Sequence, residues 1–157
     1  TEETPTITAS KTEKTVVAVE LEKTKKPIKE GDDVAKKLSI NMIYFDLDKS
    51  NIREDAAIEL SKLLVVLEQN PIMEIDIRSH TDCRQTAKYN LELSERRAQA
   101  TKEWLVKNGV DKSRITAKGY GESKLVNNCP CEPTNESNCS EEQHQNNRRS
   151  EFIITRL

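Results

Sequence analysis

The chain reads as a two-layer α/β (α+β) sandwich, a mixed β-sheet with helices on one face, and three stretches predict it. Met73, Ile75 and Ile77 alternate with Glu74, Asp76 and Arg78, the period of a half-buried strand. Ahead of it, Ala56, Leu60, Leu63, Leu64 and Leu67 recur at helical spacing and give that helix one buried face. Behind it, residues 91–105 divide on a helical wheel. Leu91, Leu93, Ala98, Ala100, Thr101, Trp104 and Leu105 share one arc, and Glu92, Glu95, Arg96, Gln99, Lys102 and Glu103 the other. Strand-like and helix-like runs in alternation imply layered α/β packing.

The remaining elements follow in order. Residues 1–37 are rich in Thr, Lys and Glu and read as a linker or the tail of a preceding β-rich domain, with a β-like patch at 16–21. Residues 38–157 form the domain. Residues 40–45 read as its first strand, leading into a polar turn at 46–51 in which Ser50 or Asn51 can cap the first helix. Glu54 and Asp55 suit that helix's first turn, and Asn70-Pro71 stops it. Asn108-Gly109 ends the second helix in the left-handed manner. A short strand at 114–118 leads into Gly119-Tyr120-Gly121-Glu122, and a last strand runs over 151–155. Between them, 127–145 is polar and Cys-bearing, with one helical turn expected at 140–144. The charged face of the 73–77 strand suits either a sheet edge or a position under a helix.

With 157 residues, the chain has room for one ordinary domain and a tail. Hydrophobic content of 34%, charged content of 33% and a net charge of -2 exclude the basic surface of a nucleic-acid binder. No apolar run approaches the ~20 residues of a membrane span, so no transmembrane segment is expected here. Any export signal or lipid anchor is expected upstream. Four cysteines, Cys83, Cys129, Cys131 and Cys139, point to disulfides in an oxidising compartment. They allow three connectivities, among which the sequence does not choose. The pairing expected is Cys129 with Cys139, closing the polar insert, and Cys83 with Cys131. The rival is a zinc site using these thiolates and His144, but Cys129-x-Cys131 matches zinc spacing poorly. No metal and no cofactor is expected.

Arg97 falls inside the apolar arc of its helix, and a guanidinium there needs an acceptor. Asp82, just past the 72–79 run, is the obvious candidate. Two readings compete. In one the pair is a structural tie between loop and helix. In the other it is an open clamp, with Arg97 forking a ligand carboxylate and Asp82 taking a ligand ammonium.

Five motifs carry a resemblance: Phe45-Asp46; His80-Thr81-Asp82; Asn90-Leu91-x-Leu93-Ser94-x-x-Arg97-Ala98; Gly119-Tyr120-Gly121-Glu122; and Asn147-Arg148-Arg149-x-Glu151-Phe152. In order and spacing the chain resembles the OmpA-like peptidoglycan-binding domain of porin-like proteins, peptidoglycan-associated lipoproteins and flagellar stator subunits, over roughly 38–157. The resemblance implies a β-α-β-α-β-β order and non-catalytic binding of the diaminopimelate-containing stem peptide. It implies a periplasmic place at the outer membrane and cell wall, beside other components of an envelope or secretion complex. By the family pattern Asp82 and Arg97 hold the amino-carboxylate end of diaminopimelate. Thr81, Asn90 and Leu93 line the pocket, Asp46 and Arg148 support it, and His80 packs behind it. The Cys-bearing insert is similar to one in multidomain periplasmic proteins of the type IX secretion and gliding machinery.

Two other functions compete with this one. A peptidoglycan amidase or peptidase would use His80, His144 and a carboxylate or metal, yet neither His lies in an HExxH-like helix and there is no GxSxG elbow. A protein-interaction module would leave the Asp82–Arg97 pair purely structural.

Overall fold

In the computed structural model, which describes residues 27–131, 133–134 and 136–157, three strands form one mixed sheet. The 16–21 patch lies outside the described residues. Strand β1 (Glu74–His80) is central, parallel to β2 (Ile115–Gly121) and antiparallel to β3 (Ser150–Arg156). The helices are α1 (Val34–Lys37), α2 (Glu54–Gln69), α3 (Ala87–Lys107) and α4 (Glu141–Asn147). One core joins Leu60, Leu63, Leu64 and Leu67 of α2 to Ile75 and Ile77 of β1, Ala98 and Leu105 of α3, and Phe152 and Ile154 of β3.

The helix-bearing sandwich with its mixed sheet agrees with the predicted fold class, and several elements depart from expectation in detail. Residues 40–45 are not a strand of this sheet. The outer edge of β3 that they would join is already taken. Gly31 donates its N–H to the Ile154 carbonyl at 2.8 Å, and Ile154 donates to Asp32 at 2.9 Å. Asp33 Oδ1 accepts from Phe152 N. Residues 27–37, which read as linker, are thus docked on β3, with Val34 fully buried. Gly31 and Asp32 make the sheet-edge bonds through main chain and Asp33 through its carboxylate, contacts that hydrophobic patterning does not register.

Helix α2 is capped neither by Ser50 nor by Asn51. Arg53 stands at its N-cap in an extended conformation, with no side-chain cap bond. Glu54 and Asp55 supply the negative charge instead, and Asp55 accepts from Ala56 N at 2.9 Å. Asn70 ends the helix and Gly109, at φ +107°, follows the end of α3, both as the sequence suggests.

The charged face of β1 lies neither at an edge nor under a helix. It is the open face of a central strand, where Asp76 pairs with Arg78 and accepts from Thr116, and Glu74 pairs with Arg156. Leu91, placed on the apolar arc, is half exposed, while Asn90 and Ser94, outside that arc, are buried; Thr101 is buried as the arc predicts. Helix α3 approaches β2 through glycines, so polar side chains bonded to backbone fill the seam. Ser94 Oγ accepts from Gly121 N, and Glu95 Oε2 accepts from Gly119 N. A Cβ on Gly119 would stand 2.2 Å from the Glu95 amide nitrogen. That close approach is what Gly119-Tyr120-Gly121 provides.

Candidate functional site

At the C-terminal end of β1 a cleft of about 720 Å³ opens between the start of α3, the 43–53 segment and α4. Thr81, Asp82, Asn90, Leu93, Arg97 and Arg148 line it, so six of the seven predicted ligand residues converge. Asp46 borders it by its backbone. Its carboxylate is exposed and pairs with Arg53, while its carbonyl accepts from Arg97 Nη2 at 3.2 Å.

Arg97 and Asp82 do not pair. Arg97 donates Nε to the Lys49 carbonyl at 3.0 Å, and its guanidinium stacks 4.9 Å over the Phe45 ring. No carboxylate lies within ion-pairing distance of it among the described residues. Burial lowers its pKa from the ordinary arginine value, though it remains a cation at neutral pH. Asp82 has nearer partners. Arg84 Nη2 and Arg148 Nη1 donate to its Oδ2 at 2.8 and 2.7 Å, and Arg84 N donates to Oδ1 at 2.9 Å. Burial pushes the Asp82 carboxyl up, but those donors outweigh it and hold the group below the usual carboxylate range. The structural-tie reading therefore loses its premise. Arg97 lies ten residues into α3, about 15 Å along the axis, and faces the 46–49 turn. A cation two residues from Asp82 needs no such reach.

The other lining residues shape the loop. Asn90 donates its amide N–H groups to the carbonyls of Asp82 and Arg84 at 3.2 and 3.0 Å. Thr81 N donates to Gly121 O, and its hydroxyl donates to Asp82 O. Leu93 is buried at the cleft floor. Gln85 holds φ +79°, which strains a non-glycine residue in the same loop. Arg148 is no strand charge: it is the C-cap of α4 and bridges to Asp82.

Disulfides join Cys83 to Cys131 and Cys129 to Cys139, the expected connectivity. They use all four sulfurs and displace the zinc alternative. Cys83 sits between Asp82 and Arg84, so one bridge ties the Asp82 loop to the insert. Cys139 directly precedes Ser140, whose capping box with Gln143 starts α4. The single helical turn expected there is thus seven residues, and the Ser140-x-x-Gln143 spacing is the signal that was available. Asn147, fully buried, accepts from Val126 N and donates to Asn127 Oδ1, fastening the insert to α4.

His80 is buried in the cleft wall, stacked 5.3 Å from Tyr120 and against Glu151. Burial and then the Arg149 charge lower its pKa to about 4, against an opposing pull from Glu151, so it is neutral. His144 is also buried and lies away from the cleft lining. No group of three or more His, Cys, Asp or Glu among the described residues could hold a metal. No described helix is long and apolar enough to cross a membrane. Sequence reasoning missed Arg84, Glu141 and Tyr89. Arg84 had a local signal, two residues from Asp82, whereas Glu141 reaches the cleft only through the folded insert.

Fold and cleft together define an α/β module with a cleft built on a loop, a helix start and an insert. Residues 44–139 match the OmpA family, and the chain belongs to it. It is 44% identical over 87 residues to a peptidoglycan-associated lipoprotein of Brucella melitensis, covering 55% of this chain and 52% of that protein. Other curated relatives are matched over as little as 12% of their length, so the chain spans about half of them or less. Among solved structures, the peptidoglycan-associated lipoprotein from Burkholderia pseudomallei superposes with a TM-score of 0.63 at 27% identity, covering 74% of this chain and 92% of that one. The cell wall anchor of the T6SS from Pseudomonas aeruginosa superposes with a TM-score of 0.55 at 26% identity, over 70% of this chain and 73% of that one.

Proposed function

We propose that this domain binds peptidoglycan without cleaving it, through the diaminopimelate of the stem peptide, and so anchors an envelope assembly to the cell wall. The observation that carries the reading is Arg97: a cation half-withdrawn from water, fixed by two carbonyls and the Phe45 ring, with a cleft before it and no carboxylate within ion-pairing distance among the described residues. Such a guanidinium gains from an external carboxylate, which it accepts as a charge-assisted, forked partner. Asp82, ionised and buried at the same cleft, is the acceptor for the neighbouring ammonium. Opposite charges at a set separation prefer an amino-acid centre to a plain acid or plain amine. Relatives whose names associate them with peptidoglycan or a cell-wall anchor support the polymer as ligand.

In this reading the protein works in the periplasm at the outer membrane. The disulfides suit that oxidising compartment. The disulfide-closed insert supports a secretion-associated assembly of the type IX or gliding kind as what is tethered. One module binds weakly, and many copies on one polymer supply the hold. Purified sacculi should sediment the intact protein and leave Arg97→Ala and Asp82→Ala in solution, with both variants folded by circular dichroism. Stem peptides with lysine for diaminopimelate should bind much more weakly by calorimetry; equal affinity would remove the clamp.

A further inference from the structure

A carboxylate of this chain already sits on cations at the mouth of the cleft. Glu141 accepts from Arg84 Nη1 at 3.0 Å and from Arg148 Nη2. The same two guanidiniums hold Asp82. The four side chains close a ring of alternating sign, and its two carboxylates are unlike. The Asp82 side chain is 8% exposed and also accepts a backbone N–H, whereas that of Glu141 is 68% exposed. Glu141 has only the two guanidiniums as partners among the described residues. Exposed ion pairs of this kind hold weakly, because water and salt compete for both charges. The surroundings favour an anion. Five arginines and three carboxylates line the cleft, an excess of two cations in a chain of net charge -2.

We propose that Arg84 and Arg148 form a second carboxylate subsite, for which Glu141 is an internal stand-in that the ligand displaces. The ligand class is then a zwitterionic amino-acid centre, held by Arg97 and Asp82, with a further free carboxylate nearby. This rests on the peptidoglycan reading above and sharpens its ligand. A stem peptide ending in a free carboxylate satisfies both subsites, and the same peptide ending in an amide satisfies one. Glu141 competes for the second subsite, so removing its charge favours the dicarboxylate. Arg84 is then a specificity-determining residue, reaching the subsite from the loop that the Cys83–Cys131 bridge holds to the insert.

The test is calorimetry at low ionic strength, with a diaminopimelate stem tetrapeptide carrying a free C-terminus and its C-terminal amide. The intact protein should prefer the free acid by about tenfold, the worth of one charge-assisted pair. Glu141→Gln should bind the free acid several-fold more tightly and the amide unchanged. Arg84→Gln should bind both alike. Equal affinity of the intact protein for the two peptides overturns the subsite. So does a Glu141→Gln variant that binds the acid no better and melts at a lower temperature, which would make Glu141 a structural tie for α4. If neither peptide binds the intact protein, the peptidoglycan reading itself falls.

Discussion

At the N-terminal end of β1, Arg114 donates to the carbonyls of Met73, Leu67 and Asn70 at 2.9, 2.9 and 2.7 Å. At the other end, Arg97 donates to the carbonyls of Lys49 and Asp46 at 3.0 and 3.2 Å. Both guanidiniums grip main-chain oxygens, yet their surroundings separate them. Arg114 collects carbonyls at the end of α2 and the entry to β1, where a helix leaves acceptors unsatisfied. Arg97 holds a turn, lies on an aromatic face and borders a cleft. One end of the sheet commits its cation to three carbonyls of the chain; the other keeps its cation at a cleft. An arginine on backbone carbonyls is thus structural or ligand-binding according to what lies before its remaining edge.

The two ends can be separated by mutation, beginning with the seam that supports the cleft. Gly119→Ala should have the largest effect, a loss on the order of 4 kcal/mol, because the new methyl meets the α3 backbone rather than a movable side chain. Chemical denaturation measures it, and a wild-type midpoint would mean that α3 shifts freely.

Arg114→Ala should cost about 3 kcal/mol, since it takes a donor from three carbonyls, of which Asn70 keeps another in the Met73 N–H. Sacculus binding by the folded fraction should be unchanged. Loss of binding with an unchanged melting temperature would reverse the roles of the two ends.

Acid should act at the cleft end through His80. Its folded pKa of about 4 lies below the ordinary 6.5, so the unfolded chain takes up the proton first. The stability tied to neutral His80 is present above pH 6.5 and is lost as pH falls toward 4, by about 3 kcal/mol. Melting curves of His80→Gln should be flatter over that window. An equally steep fall would show that His80 does not set the acid sensitivity over that window.

Arg97→Ala should cost least in stability, about 1 kcal/mol, while abolishing retention on sacculi. Arg97→Lys should recover little of the binding, because an ammonium has no planar fork for a carboxylate.

Much of this protein was legible before folding. The alternation at Met73 to Ile77, the leucines of α2 and the stripe on α3 announce the sandwich because burial imposes their periods locally. The motif spacing located the cleft through Thr81, Asp82, Asn90, Leu93, Arg97 and Arg148, and closing the polar insert suggested the disulfide pairing. Asn90 and Ser94 were less readable: polar residues enter a buried seam only when backbone partners wait there, and those partners lie on β2 or in the loop. The docking of Gly31 to Asp33 on β3 left no trace either, since main-chain bonds to a sheet edge do not depend on apolar side chains.

The sequence by itself determined that a cation lies on the packed side of a helix and needs an acceptor. Which acceptor it meets was decided by tertiary structure. Helix α3 carries Arg97 to the 46–49 turn, while the loop and the disulfide-closed insert bring Arg84 and Arg148 to Asp82. Ion pairing follows distance in space, and the sequence separation of 66 from Asp82 to Arg148 closes only when the chain folds.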